Sequence, residues 1–424
     1  MTEIKPFKAF IYNQEKIKDL KDVVCPPYDV ISPAQQQFFL DCHPHNLIHI
    51  LLGKDVSGED KYKKAGNDFK NWLDSQVLIQ DKSPAIYFYC QQYNLKGEKK
   101  TRLGFIALLK LEDKNSGTFK HEHTRVEPKE DRLKLIRQVK ANLSPIFVIF
   151  GDHKRVIQRM YQKYIQNKKP FIEVTDTESI NHKIWRIDEP DVLEKIQSLM
   201  QDENIFIADG HHRYEVASLY REEMRKKFPE LVSEDNFNYV LAYFTNTDNR
   251  GLTILPINRL VKLDANFDLE KFKLALSVYF AIEEVKDRTK FFFLMQKAGN
   301  TEHVIGMYRN KKFWLLRLKN VKIVDKIIID KHKDCRSLDV SILNYLILKR
   351  ILGMDIEDKV NIEYSHNNDE LIEKADKNNL SIAIFLNPAR IEQIMAVALS
   401  GEKMPSKSTF FYPKVLSGLV INKF

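Results

Sequence analysis

Residues 207–215, Ile207-Ala208-Asp209-Gly210-His211-His212-Arg213-Tyr214-Glu215, form the densest chemical stretch of this 424-residue chain. A short apolar run at 205–208 precedes them. Beyond them Ala217, Tyr220, Met224 and Phe228 recur at helical spacing. The pattern predicts a strand, a tight turn at Asp209-Gly210 and a helix. The first backbone N–H groups of a helix have no intrahelical acceptor, and its dipole adds partial positive charge there. Such a turn is an anion site. His211, His212 and Arg213 add three donors, and Gly210 permits close approach. Asp209 would be repelled by a bare phosphate; it makes sense as a ligand for a bridging Mg²⁺ or as a proton acceptor. The plainer reading is a surface turn with an incidental His pair, against which the polar density speaks.

Three further segments carry chemistry. His121-Glu122-His123-Thr124 follows an expected hairpin and precedes an expected helix. His-x-His would suit a metal on a strand, where alternate residues share a face, but no second spaced His/Cys pair accompanies it. The segment reads either as a polar rim with Glu122 as acid or base, or as a solvated loop capping a helix near Asp131. In Cys25-Pro26-Pro27-Tyr28-Asp29-Val30-Ile31-Ser32 two prolines stiffen the chain and present Tyr28 and Asp29. Here Asp29 is a pre-positioned carboxylate, or else Asp29 or Ser32 caps the helix after Pro33. Residues 404–414 gather Lys407, Ser408, Thr409 and Lys414. Lysine is a point charge on phosphate and hydroxyls fill its other acceptors, although the spacing is not that of a Walker loop. A basic edge strand is the alternative.

The elements that must position these groups alternate between helix and strand. Residues 85–93 and 102–112 read as a hairpin, 132–140 as a helix, 145–150 as a buried strand and 153–169 as a basic amphipathic helix. Strands are expected at 238–245 and 252–256, and a hairpin at 303–318. A helix is expected from Asp339 to Leu352, with Val340, Leu343, Ile347 and Ile351 inward. Another should open at Asn387-Pro388 and close at Gly401. Trp72 and Trp185 read as core. The class is α+β, with mixed sheets and flanking helices. A soft boundary near 260–300 divides a motif-bearing domain, 1–260, from a C-terminal domain, 261–424, that contributes the 404–414 segment.

Composition narrows the partners. The 67 Lys+Arg exceed the 58 Asp+Glu by nine, so phosphorylated metabolites, nucleic acid and anionic membranes all come into view. The 49 Lys far outnumber the 18 Arg, which favours a solvated surface over a base-reading face. No apolar run reaches 18 residues and no signal core opens the chain. The four cysteines form no C-x-x-C pair. The expectation is a reduced cytoplasmic protein without a membrane span.

The motifs together resemble a bacterial and archaeal family, domain of unknown function 1015. The matching pieces are IADGHHRYE at 207–215, CPPYDVIS at 25–32, HEHT at 121–124, NLSPIF at 142–147, GLTILP at 251–256 and MPSKSTFFYPKVLSGLV at 404–420. They run in order through nearly the whole chain. One departure is Ile257-Asn258-Arg259, where the family pattern reads Thr-His-Arg. The Asp-Gly-His-His-Arg turn also looks like the phosphate loop of ParB/sulfiredoxin-like proteins, some of which phosphorylate free L-serine. That resemblance implies a ParB/sulfiredoxin-like phosphate-binding core. Gly210, His211, His212 and Arg213 would hold the donor phosphates, with Lys407, Ser408, Thr409 and Lys414 as additions. Asp209 would sit at Mg²⁺ or the reacting group, Asp29 would be the base with Glu122 as understudy, and Tyr28, His121, His123 and Thr124 would line the acceptor. The donor would be pyrophosphate, ADP or ATP and the acceptor a small hydroxyl-bearing metabolite. Alternatives are a ParB-like DNA-binding protein or nucleotide switch, and a phosphatase or nuclease using the same anion site. The former calls for a helix-turn-helix and an Arg-rich face, and neither is evident.

Overall fold

The computed structural model of the chain describes residues 2–55, 58–112, 117–152, 155–230, 235–299, 301–355 and 360–424. The architecture is α+β, in two compact units. The first comprises Met1–Lys120, Thr124–Thr253 and Pro413–Phe424; the second comprises His121–His123 and Ile254–Tyr412.

In the first unit, among the described residues, nine strands form one mixed sheet. The strands Ile86–Leu95 and Glu98–Lys110 make the expected hairpin, longer than its apolar run suggests. Lys96 and Gly97 turn it with φ of 52° and 84°, the left-handed pair that matches strand twist. Glu98–Lys110 pairs antiparallel with Tyr239–Asn246, which runs parallel to Ile146–Phe150. Next comes Ile205–Asp209, antiparallel, and then Thr118–Lys120, parallel to it. Phe88, Phe105, Phe150 and Phe244 lie wholly inside this unit's core, at about 1.5–3 kcal/mol per buried ring. Trp72 and Trp185 are buried, as their setting in the sequence suggests.

Helix His211–Lys227 leaves the sheet at Gly210 and packs beside Val126–Val139, where Ile136, Val216, Tyr220 and Phe237 form a second cluster. Val126–Val139 starts six residues before the expected 132. Its N-cap is Arg125, with no side-chain cap among the described residues; Asp131 lies within the helix, its carboxylate accepting hydrogen bonds from Tyr62 and Arg132. Expected at 153–169, the basic helix is Val156–Tyr164, and the start of that range, 153–154, lies outside the described residues. Ser32 does cap Pro33–Cys42, reciprocally with Gln35, while Asp29 stays in the preceding short turn Tyr28–Val30.

In the second unit, six strands form an antiparallel sheet. Its hairpin, Val304–Arg309 and Lys312–Leu318, turns where expected. The helix that begins at Asp339–Ile342 changes to π winding over Leu343–Ile351. Wider winding rotates the inward face. Ile351 therefore ends half-buried, whereas Asn344, Leu346 and Leu348 join Leu343 inside. The next expected helix opens late, at Ile391–Leu399, where Arg390 is the N-cap and its N–H donates to Gln393 Oε1 at 3.0 Å, while Asn387 is turned aside, its Nδ2 donating to the Met295 carbonyl at 3.1 Å. Among the described residues no helix is long and apolar enough to cross a membrane.

Candidate active site at the Asp209 turn

The Ile205–Asp209 strand pairs regularly with Ile146–Phe150 up to Ile207. The register then slips, so that Asp209 stands opposite Phe147. A bulge of this kind re-aims a side chain at a sheet edge. Gly210 follows with φ 87° and caps the 17-residue helix, and no side chain caps that end. The backbone angle calls for glycine, and a Cβ on Gly210 would lie 2.9 Å from the Arg213 guanidinium carbon, so that side chain would have to shift.

Asp209 is clasped by two cations. Its Oδ1 accepts from Lys414 Nζ at 2.5 Å and its Oδ2 from Arg213 Nη2 at 2.6 Å. Burial alone would raise the Asp209 carboxyl. Lys414 and Arg213 outweigh burial and hold it down to about 2. Arg213 also donates through Nη1 to the Pro145 carbonyl, while its buried Nε has no hydrogen-bond partner among the described residues. A buried donor left unmade costs about 1–3 kcal/mol, a price compatible with a group kept ready for an anion. The balance at the turn is two cations to one carboxylate, with the helix dipole adding to the positive side.

His212 accepts a hydrogen bond at Nε2 from the Arg125 N–H, 3.0 Å away. Burial lowers its basicity, opposed by the charges of Asp29 and Glu215. Glu215 in turn accepts from Thr124 Oγ1 at 2.5 Å and Lys129 at 3.2 Å, with Lys120 at 3.6 Å. Tyr28 lies under the Arg132 guanidinium, 4.4 Å from ring centroid to carbon. Burial, and then Asp29, push its phenol up. Tyr28, Arg132, Ser144 and Arg213 line a small cavity of about 60 Å³. Asp29 itself is exposed. In the first unit, therefore, the fold gathers Tyr28, Asp29, Thr124, Asp209, Gly210, His212, Arg213 and Lys414, with buried His211 opening the helix.

The remaining sequence-derived residues belong to the second unit. His121 is buried, with Nε2 3.5 Å from Thr409 Oγ1, and its carbonyl accepts from the Met404 N–H at 2.7 Å. Glu122 bridges to Met404, and His123 is exposed. Lys407 adopts a left-handed φ of 57°, its carbonyl held at 3.1 Å by Nη2 of the buried Arg259, and Ser408 donates to the Pro405 carbonyl. Burial lowers the Arg259 guanidinium to about 10. Asn258, at the family's His position, is buried and satisfied by Asn368 at 2.7 Å and the Leu386 N–H at 3.0 Å.

A Mg²⁺ ion held by Asp209 does not fit these residues. Both carboxylate oxygens face cations, and among the described residues no group of three or more His, Cys, Asp or Glu side chains could hold a metal.

Two buried residues in the first unit went unread in the sequence. Gln91 and Arg102 stand opposite each other in the hairpin. Arg102 Nε donates to Gln91 Oε1 at 3.0 Å, and its guanidinium also reaches the Pro413 carbonyl. Gln91 donates to the Lys414 carbonyl at 2.8 Å. Together they fix the backbone from which Lys414 reaches Asp209. No local signal marks them, for Gln91 stands beside Gln92 and Arg102 follows Glu98-Lys99-Lys100-Thr101.

The model of a family described as "Protein of unknown function (DUF1015)" matches residues 4–341, and the chain belongs to that family. No curated protein matches the chain. Among solved structures it is similar to a mutant free serine kinase in complex with AMP, at TM-score 0.34 and 11% identity, over 70% of this chain and 84% of that one. It is also similar to a conserved hypothetical protein from Pyrococcus furiosus, at TM-score 0.33 and 12% identity, over 70% and 89%. A third is SbnI with a C-terminal truncation from Staphylococcus aureus, at TM-score 0.37 and 11% identity, over 74% and 86%.

Proposed function

We propose that this protein is a phosphotransferase that phosphorylates a small hydroxyl-bearing metabolite, free L-serine, from pyrophosphate, ADP or ATP. The observation that carries the reading is the clasp at the turn: Lys414 and Arg213 fixed on Asp209 beside an uncapped helix N-terminus. Phosphoryl transfer asks the protein mainly for positioning and for charge stabilisation. Cations already held in place contribute without reorganising when charge develops.

In this reading Lys414, Arg213, His211 and His212 receive the donor phosphates, with Gly210 leaving room for them. Asp209, held down to about 2, is a weak base, so its role is to aim the two cations. Asp29 takes the proton from the acceptor hydroxyl. The hydroxyl oxygen bonds to phosphorus as the bond to the leaving phosphate oxygen breaks. Tyr28 and Thr124 border the acceptor. No step is assigned to Mg²⁺. The ParB/sulfiredoxin-like relation of the core belongs to this proposal.

The test is incubation of the purified chain with L-serine, Mg²⁺ and, in turn, pyrophosphate, ADP and ATP, with O-phosphoserine read by mass spectrometry. Product with at least one donor is expected. No product with any donor, together with salt-sensitive DNA binding, overturns the reading in favour of a ParB-like protein. Release of phosphate without O-phosphoserine would favour a phosphatase.

A further inference from the structure

The second unit contains a cavity of about 130 Å³, lined among others by His303, Asp339, Asn387, Arg390 and Ser408. At ~30 Å³ per water it admits a ligand of only a few non-hydrogen atoms. It forms where chain segments end: before the Val304–Arg309 strand, at the start of Asp339–Ile342, and between the Ser381–Phe385 strand and helix Ile391–Leu399. Asn258 holds one wall by accepting from the Leu386 N–H.

Two features give the cavity a chemistry. His303 Nδ1 lies 2.7 Å from Asp339 Oδ1. A carboxylate accepts from Nδ1–H, so the neutral ring is set in the tautomer whose Nε2 is an acceptor. Among the described residues nothing is bonded to that Nε2. Arg390 is exposed at the same cavity, and among the described residues no carboxylate pairs with it. A planar guanidinium matches a carboxylate. One wall thus asks for an O–H or N–H donor and the other for a carboxylate.

We propose that this cavity is a second small-molecule site, taking a small carboxylic acid that bears a hydroxyl or ammonium donor. Arg390 receives the carboxylate, and His303, oriented by Asp339, receives the donor. The site is independent of the phosphotransfer reading and stands if that reading fails.

The experiment records ¹H–¹⁵N spectra of the histidine rings in the full chain, with His303→Asn assigning the resonance. Glycolate, L-serine and acetate are titrated separately, without any phosphate donor. Saturable movement of the His303 ring signal is expected with glycolate or L-serine, and at least tenfold weaker binding with acetate. Arg390→Gln, an exposed substitution that leaves the fold intact, should weaken binding by about tenfold to a hundredfold. An unmoved His303 signal with both donor-bearing acids overturns the proposal. So does a response that acetate reproduces, or one that Arg390→Gln leaves unchanged.

Discussion

The Asp209 turn and the His303 cavity each set a carboxylate against a basic group, yet they use it oppositely. At the turn, one half-buried carboxylate aims two permanent cations, and positive charge is left over. In the cavity, Asp339 orients a histidine, and Arg390, which no carboxylate pairs among the described residues, lines the same cavity. The first arrangement suits a multiply charged phosphate chain. The second suits a ligand with one charge and one donor. Cation, carboxylate and imidazole recur in both, so it is the partner assignment that separates the two chemistries.

The strongest way to break the comparison is Asp209→Asn. It leaves Lys414 and Arg213 with uncompensated charge in a partly buried setting, and a loss of about 2–3 kcal/mol is expected in denaturant unfolding. The equivalent change in the cavity, Asp339→Asn, should cost far less, because it removes a single partly exposed contact with His303. Equal losses would show that the two carboxylates do the same work. Acid provides the next test. The folded Asp209 carboxyl lies near 2, below its unfolded value of about 3.9, so its stabilisation is present above pH 4 and fades as pH falls toward 2. About 2 kcal/mol should disappear over that window, and Asp209→Asn should remove that part of the acid dependence. Gly210→Ala comes third, at about 1–2 kcal/mol for the left-handed angle, with Arg213 pushed off Asp209. A neutral outcome would show that the turn relaxes freely. The smallest effect is Arg390→Gln, under about 0.5 kcal/mol on stability, since the side chain is exposed. A larger loss would mean that Arg390 holds the fold, not a ligand.

Local pattern made much of this readable from the chain. The strand, Gly210 and helix at 205–228 follow from an apolar run, a glycine and helical spacing, and the fold has them there. The hairpins at 86–110 and 304–318 were equally legible from their aromatic runs. What stayed hidden depends on distance along the chain. Lys414 meets Asp209 across 205 residues, and no periodicity reports that. Nor does any spacing show that the Lys414 ammonium is spent on a carboxylate. The π winding after Ile342 also escaped, because its residues keep an ordinary helical pattern while packing rotates them. His303 and Asp339 lie 36 residues apart in separate elements, each unremarkable alone.

The central claim is that the clasp at Asp209 is an anion site. Calorimetric titration of inorganic pyrophosphate into wild type and Lys414→Met tests it most directly. Arg213 still compensates Asp209 in that variant, so the fold should survive and thermal unfolding can verify it. Saturable, salt-sensitive binding to wild type, weakened at least tenfold by Lys414→Met, is the predicted result. Equal affinity in both proteins, or no binding to a folded wild type, would contradict it.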